Sequence, residues 1–299
     1  MIAQRVKKEN PAIVSRTLKL TLYSKQLLTG LMRKALLFLT NSTLLTAIAA
    51  TALYSGVAYN YGKFNALMAA FIGSSTWSVY LLHRLIKVLQ GTISDPRLKH
   101  WLIRNFRLLS FLLVILFVSL AFFLVFLKLT SVQWIYLLLF SFISIWYVIP
   151  VGGNAVRNIP YVKSPIVAIT WSLHLFYFPL FFEEPVNDYW LEIVNWVLFF
   201  YAITIPFDSR DSEKDSDKMK TLPQLVGKKN AGIVALLLIA IFGVIALLVN
   251  NKIGNNFMFW SVILALTFTL YRFRQSKSYI AYAIFDLLMI LLGSSYFIN

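Results

Sequence analysis

The chain alternates between long stretches without charge and short segments where charged residues cluster. A membrane-crossing helix needs about 20 mostly apolar residues. Nine stretches meet this need, with approximate cores at 36–57, 65–83, 108–127, 132–149, 164–182, 190–207, 231–250, 256–271 and 279–298. Two parts of them, 112–127 and 235–249, are apolar around the whole helix, whereas a surface helix of a soluble protein keeps a polar face. The pattern predicts an all-α polytopic membrane protein with nine transmembrane helices.

Composition agrees with this interpretation and excludes a soluble bundle. The chain is 59% hydrophobic and 13% charged, with a mean hydropathy of +0.71. In a soluble domain, roughly a quarter of the residues are charged. Half of the usual charge is therefore missing, and cysteine is absent, so disulfide and thiol chemistry are excluded.

The basic residues predict which side of the membrane each loop occupies. With nine spans, 25 of the 28 Lys and Arg fall on one side, and only Lys63, Lys128 and Lys252 fall on the other. Basic loops stay in the cytoplasm, so the N-terminus is predicted to be cytoplasmic and the C-terminus to lie on the opposite side. The net charge of +16 then favours contact with anionic membrane lipids and argues against nucleic-acid binding. Residues 1–35 are predicted to form a cytoplasmic amphipathic segment, and 36–299 a nine-helix membrane domain.

Five of the twelve acidic residues fall within ten positions that follow the sixth stretch: Asp208, Asp211, Glu213, Asp215 and Asp217. If this segment continues as a helix at about 100° per residue, Asp208, Asp211 and Asp215 share one face and the other two acids lie opposite. Clustered carboxylates repel one another unless a cation lies among them. Mg²⁺ takes one or two carboxylates and completes its shell with water and phosphate oxygens. The alternative is a solvated helix with salt bridges to neighbouring lysines.

The acidic segment resembles a motif of a known family. Asp208-Ser-Arg-Asp211-Ser-Glu-Lys-Asp215, followed by Lys220-Thr-Leu-Pro223-Gln-Leu-Val-Gly227, resembles the second aspartate-rich motif of UbiA-type intramembrane prenyltransferases. That resemblance implies nine helices around a central cavity and Mg²⁺ held by Asp208, Asp211 and Asp215. A weaker similarity is Tyr147-Val-Ile-Pro150 followed by Arg157 and Lys163, where the family has a Tyr, a Pro and basic residues near the diphosphate. Tyr147, Arg157, Lys163, Lys218 and Lys220 are the implied substrate-binding residues.

The chain departs from the family at the first aspartate-rich motif. The cytoplasmic end of the second span reads Tyr80-Leu-Leu-His83-Arg84-Leu-Ile-Lys87, without an acid, and the nearest one is Asp95. We expect His83 and Arg84 to take this place and to contact the diphosphate or the acidic segment. An alternative is that Arg84 extends to lipid headgroups.

The resemblance implies a Mg²⁺-dependent prenyltransferase that moves a prenyl group from an isoprenyl diphosphate to an aromatic or other lipophilic acceptor. The missing motif leaves open a non-catalytic isoprenoid-lipid-binding protein of the same fold. A transporter is a third alternative, disfavoured by the odd span count. Two ionisable residues at membrane depth, His174 and Asp286, are predicted either to line the cavity or to pair with another helix.

Overall fold

In a computed structural model, every regular element of the described residues is helical. The structure describes residues 30–93, 95–150, 155–213, 216, 219–250, 254–273 and 280–298. The helices are α1 (Gly30–Asn41), α2 (Leu44–Asn60), α3 (Ala66–Leu89), α4 (Pro96–Arg104), α5 (Phe106–Phe126), α6 (Ser131–Trp146), α7 (Lys163–Ser172, continued as a π-helix over Leu173–Phe181), α8 (Val186–Asp211), α9 (Leu222–Val249), α10 (Phe257–Phe273) and α11 (Ile280–Ser295). The all-α prediction is confirmed.

Several helices begin at a side chain that satisfies an exposed backbone N–H group. Asn65 accepts from the N–H of Leu67 and Met68 at the start of α3. Asp95 accepts from the N–H of Arg97 at the start of α4. The acid nearest to the missing motif therefore caps a short helix.

Within the described residues, four helices are long and apolar enough to cross a membrane: Phe106–Phe126, Lys163–Phe181, Tyr189–Asp211 and Leu222–Val249. A fifth crossing results if α1 and α2, bent by 70° at a short break, are counted together, and α6, α10 and α11 are shorter apolar helices. In α5 only 11% of the apolar window is buried inside the protein. The rest of this apolar surface is exposed, which indicates that α5 lies against lipid and not against water.

The first predicted span, 36–57, is wrong at its beginning, because the chain breaks inside it. α1 ends at Asn41, and Thr43 has a left-handed backbone with φ of 62°. Asn41, Ser42 and Thr43 provide no continuous apolar surface, so α2 starts only at Leu44. The predicted amphipathic segment 1–35 stays a prediction, because residues 1–29 lie outside the described residues.

The helix considered for the acidic segment over 208–217 extends only to Asp211 in the described residues. α8 passes through Pro206 and ends at Asp211, and Ser212 and Glu213 form a turn. Lys214, Asp215, Asp217 and Lys218 lie outside the described residues.

The core lies between α7, α8, α9 and α10 and is strongly aromatic. Trp196 of α8 is fully buried and packs on Phe176 of α7 and Phe242 of α9, with ring centroids 4.3 and 5.2 Å apart. On the other flank, α2 meets α11 where Gly56 faces Gly293, and a Cβ on Gly56 would lie 1.9 Å from the Gly293 carbonyl oxygen. These contacts fix the helices that form the walls of the cavity.

Candidate functional site

A large cavity of about 2090 Å³ lies between α1–α8 and α11. Its mouth, which we define as the end next to Arg157 and Asp211, carries most of the charge. Lysine and arginine outnumber aspartate along the described walls: the cations are Arg33, Arg84, Lys87, Arg97, Arg104, Arg157, Lys163 and Arg210, and the acids are Asp95, Asp208, Asp211 and Asp286. The cavity therefore has a positive entrance that favours an anion.

The deeper part of the cavity is mostly apolar. α6 contributes residues from Trp134 to Tyr147, a helical length of about 20 Å at 1.5 Å per residue. None of the described α6 side chains is buried, because this helix separates the cavity from the outer surface. Phe117, Leu120 and Leu124 of α5 continue the apolar wall. This region matches a long hydrocarbon chain.

Asp208 is held at the mouth by two residues that begin α7. Asp208 is 3% exposed and Lys163 is 7% exposed. Lys163 Nζ lies 3.1 Å from Asp208 Oδ1, and the Ser164 hydroxyl donates to Asp208 Oδ2. A buried carboxylate of this kind needs both a charge partner and a hydrogen bond.

Asp211 also lines the cavity, one turn beyond Asp208 on α8. Arg210 binds it through both carboxylate oxygens, with Nε–Oδ1 and Nη2–Oδ2 distances of 2.5 and 2.7 Å. Glu213, in contrast, is exposed and pairs with Lys228 at 2.6 Å, away from the lining of the cavity. The separation expected between Asp208 and Asp211 on one side and Glu213 on the other is present.

The α3 wall stands where the first acidic motif was expected, and its cations face the cavity. Arg84 Nη1 donates to the Asn41 carbonyl at 2.6 Å, and His83 Nε2 lies 2.8 Å from the Ser144 carbonyl. Both residues line the cavity, so Arg84 does not extend to the lipid side. The expected salt bridge from Arg84 to Asp208 is absent among the described contacts. Asp208 pairs with Lys163, and Arg84 donates to the Asn41 carbonyl.

The remaining sequence-predicted residues divide between the cavity and its surroundings. Tyr147 stacks on His83 with centroids 6.1 Å apart, and both Tyr147 and Arg157 line the cavity. Lys220 lies outside its lining and has its Nζ 5.5 Å above the Tyr161 ring, beside a separate small pocket. The structure therefore does not bring Lys220 to the mouth, and Asp215 and Lys218 lie outside the described residues.

The described carboxylates form only part of the expected metal site. No group of three His, Cys, Asp or Glu suited to a metal occurs in the part of the chain that the structure describes. Asp208 and Asp211 lie one turn apart and both face the cavity. Two carboxylates completed by phosphate oxygens are a donor set that Mg²⁺ accepts. The pair fits Mg²⁺ when Lys163 and Arg210 release the two carboxylates and bind the phosphate instead.

Three residues of the mouth were missed by the sequence interpretation. Lys87 lines the cavity, close enough to Arg157, Asp211 and Lys163 for their charges to interact. Its position three residues after Arg84, on the same helix face, was a signal that it shares the wall. Arg210 and Ser164 gave no comparable signal, since adjacent basic and hydroxyl residues are common at helix ends.

Two half-buried ionisable residues, His174 and Asp286, both line the cavity and pair with another helix, the two roles predicted as alternatives. His174 lines the cavity and its Nε2 lies 2.9 Å from the Ser75 hydroxyl of α3. Asp286 lines the cavity and accepts a hydrogen bond of 2.9 Å from Thr46 of α2. Each residue therefore joins two helices and presents a polar group to the cavity.

Comparison with models of known families, with curated proteins and with solved structures gives no match for this chain. The functional interpretation therefore depends on the motif and on the geometry of the cavity.

Proposed function

We propose that this chain is a UbiA-like membrane prenyltransferase that binds an isoprenyl diphosphate in the cavity and transfers its prenyl group to a lipophilic acceptor. In this proposal α2, α3 and α5–α11 are nine membrane-crossing helices, and α1 and α4 lie at the cytoplasmic surface. The nine helices correspond to the nine apolar stretches of the sequence. The mouth then opens to the cytoplasm, where soluble diphosphates and Mg²⁺ are present.

The observation that carries the proposal is the combination of a cationic mouth and an apolar interior in one cavity. Arg84, Lys87, Arg157 and Lys163 line the entrance, and the apolar walls of α5 and α6 continue from it. A ligand with a phosphorylated head and a hydrocarbon tail satisfies both regions at once. A free phosphate leaves the apolar walls empty, and a simple hydrocarbon gains nothing from the positive charge of the entrance.

The transfer requires heterolysis of the bond between the allylic carbon and the diphosphate oxygen. Arg157 and Lys163 are placed to stabilise the negative charge that develops on the leaving pyrophosphate. Arg84 and Lys87 extend this positive surface along α3. Mg²⁺, the cofactor implied by the motif, would be held by Asp208 and Asp211 and would supply further neutralisation of the diphosphate. The allylic carbon then forms its new bond to the acceptor.

A second function, non-catalytic binding of an isoprenoid lipid in the same cavity, is favoured by one observation. Both described carboxylates of the mouth already have cationic partners, Lys163 for Asp208 and Arg210 for Asp211. The α3 wall adds cations and no carboxylate. A site of this kind binds a diphosphate head without needing to release pyrophosphate.

Binding competition tests whether head and tail are recognised together. Purified protein in nanodiscs, with Mg²⁺, is titrated with geranylgeranyl diphosphate, geranylgeraniol and inorganic pyrophosphate. We expect the lipid diphosphate to bind at least about tenfold more tightly than either fragment, a difference of about 1.4 kcal/mol. Equal affinity for geranylgeraniol would exclude a diphosphate site, and equal affinity for pyrophosphate would exclude a tail site.

The proposed orientation gives a separate prediction. Ser216, in the acidic segment, and Phe64, between α2 and α3, are both exposed. In the cysteine-free chain, a cysteine at Ser216 should react with an impermeant maleimide only from the cytoplasmic side, and one at Phe64 only from the other side. Labelling of both positions from the same side in oriented vesicles would overturn the topology.

A further inference from the structure

A second polar group of residues lies in the cavity, apart from the Asp208–Lys163 pair. Asp286 of α11 is half-buried and faces the cavity. Thr46 Oγ1 donates to its Oδ2 at 2.9 Å, and within the described part of the chain Asp286 has no other hydrogen-bond partner. One carboxylate oxygen therefore remains available to a ligand.

The opposite side of this group is formed by α3. Tyr80 and Arg84 are four residues apart and so lie on one helix face, and both interact electrostatically with Asp286. Tyr80 Oη accepts a hydrogen bond of 2.8 Å from Trp171 Nε1, which leaves the tyrosine O–H as a donor. Arg84 is fixed by the Asn41 carbonyl and makes no salt bridge to Asp286. The guanidinium and the carboxylate are therefore more than 4.0 Å apart, and both line the cavity.

The chemistry around this space selects a hydroxyl group. A hydroxyl donates to Asp286 and accepts from Arg84 or Tyr80, so every polar group is satisfied. A carboxylate at the same place is repelled by Asp286, and an apolar group adds no hydrogen bond to Asp286 beyond that from Thr46, which is costly for a partly buried charge. The Trp171 ring lies 5.9 Å from Tyr80 and 5.1 Å from Phe200 between centroids. Such aromatic surfaces favour a flat ring.

We propose that Thr46, Tyr80, Arg84, Trp171 and Asp286 form the acceptor site, and that it binds a neutral hydroxylated ring and not an aromatic acid. This inference rests on the proposed prenyl transfer and names its acceptor class. In the reaction, the O–H bond of the acceptor breaks and its proton passes to Asp286. The acceptor oxygen then uses the released electron pair to form a bond to the allylic carbon, while the bond from that carbon to the diphosphate oxygen breaks and pyrophosphate leaves.

Binding of ring probes tests the site without any diphosphate. Wild-type protein in nanodiscs is titrated with 1-naphthol, 1-naphthoate and naphthalene, with naphthalene as the measure of ring burial alone. We expect wild type to prefer 1-naphthol, and Asp286→Asn to lower its affinity for 1-naphthol about tenfold or more, the effect of losing a charged hydrogen-bond partner. The same variant should bind 1-naphthoate more tightly than wild type does and leave naphthalene unchanged. Unchanged 1-naphthol affinity in Asp286→Asn, or an equal loss for naphthalene, would overturn the proposal.

Two further variants separate this site from the folding of the protein and from the diphosphate site. Tyr80→Phe removes one hydroxyl and should also weaken 1-naphthol binding, so it decides the question if Asp286→Asn does not fold. Glu192→Gln is the matched control, because Glu192 is a buried acid on α8 outside the lining of the cavity, and it should leave all three probes unchanged. Geranylgeranyl diphosphate affinity should change less than about threefold in Asp286→Asn. Failure of wild type to bind the diphosphate would refute the proposed function, while the naphthol results would still decide the acceptor site.

With a hydroxylated ring as acceptor, the rate of transfer adds a catalytic readout. Asp286→Asn should reduce transfer to the acceptor about 100-fold, the scale of losing a general base. A fall in transfer matched by an equal fall in geranylgeranyl diphosphate affinity would show that Asp286 serves only to hold the cavity together.

Discussion

Replacement of Lys163 by methionine is expected to lower the free energy of unfolding by about 3–5 kcal/mol, the cost of leaving a buried charge without its partner. Asp208 is almost completely buried, and its Oδ1 lies 3.1 Å from Lys163 Nζ. Methionine fills a similar volume but removes the cation from beside the carboxylate, to which the Ser164 hydroxyl still donates. Thermal unfolding of the detergent-solubilised protein, followed by circular dichroism, measures the loss.

The double variant Lys163→Met/Asp208→Asn separates stability from ligand binding. Removing both charges should restore most of the lost stability, yet geranylgeranyl diphosphate should still bind weakly because the cation that faces it is gone. Lys228→Met is the matched control, since Lys228 pairs with Glu213 at the exposed end of the same region and such pairs contribute at most about 1 kcal/mol. Equal destabilisation by Lys163→Met and Lys228→Met would show that the buried pair is not a stabilising unit.

Asp211→Asn is expected to weaken Mg²⁺-dependent binding of geranylgeranyl diphosphate by about 1–3 kcal/mol, the scale of losing a charged partner. Asp211 faces the cavity beside Arg210, where it would share the metal with Asp208. In EDTA we expect Asp211→Asn to strengthen binding of the diphosphate, because without a metal the Asp211 carboxylate only repels it. Calorimetric titration with and without Mg²⁺ measures both values.

The control for Asp211 is Glu213→Gln, two residues along the chain. Glu213 is exposed, lies outside the lining of the cavity and pairs with Lys228, so its change should leave the affinity for the diphosphate almost unaltered. If the two substitutions had equal effects on diphosphate affinity, the acidic segment would be a solvated loop without a metal site. Tighter binding by Asp211→Asn in the presence of Mg²⁺ would show that this carboxylate holds no metal.

The helices were predictable from sequence because the absence of charge over about 20 residues is a strong and continuous signal. The predicted stretch 108–127 corresponds to the observed helix Phe106–Phe126. The stretch 164–182 corresponds to Lys163–Phe181. The structure departs from the expected helices where single residues decide the backbone. Thr43 adopts a left-handed conformation that ends the first helix early. The acidic helix stops at Asp211, although its charge pattern would also have suited a continuing helix.

The candidate site was predictable only in part, because sequence spacing reports neighbours on one helix and not across helices. The placement of Asp208 and Asp211 on one face follows from their spacing of three. The partners of Asp208, namely Lys163 and Ser164, come from a helix more than 40 positions earlier. Asp286 and Arg84 likewise share one site only because α3 and α11 both line the same cavity.

The most direct test of the central claim is pyrophosphate release by the purified protein. The protein in nanodiscs is incubated with geranylgeranyl diphosphate, Mg²⁺ and a neutral hydroxylated ring acceptor, and pyrophosphate and the prenylated product are both quantified. We predict that the two products appear in equal amounts, that EDTA stops their formation, and that Asp211→Asn slows it while Glu213→Gln does not. Tight diphosphate binding without any pyrophosphate release above a protein-free control would contradict the enzyme and leave the chain as an isoprenoid-lipid-binding protein.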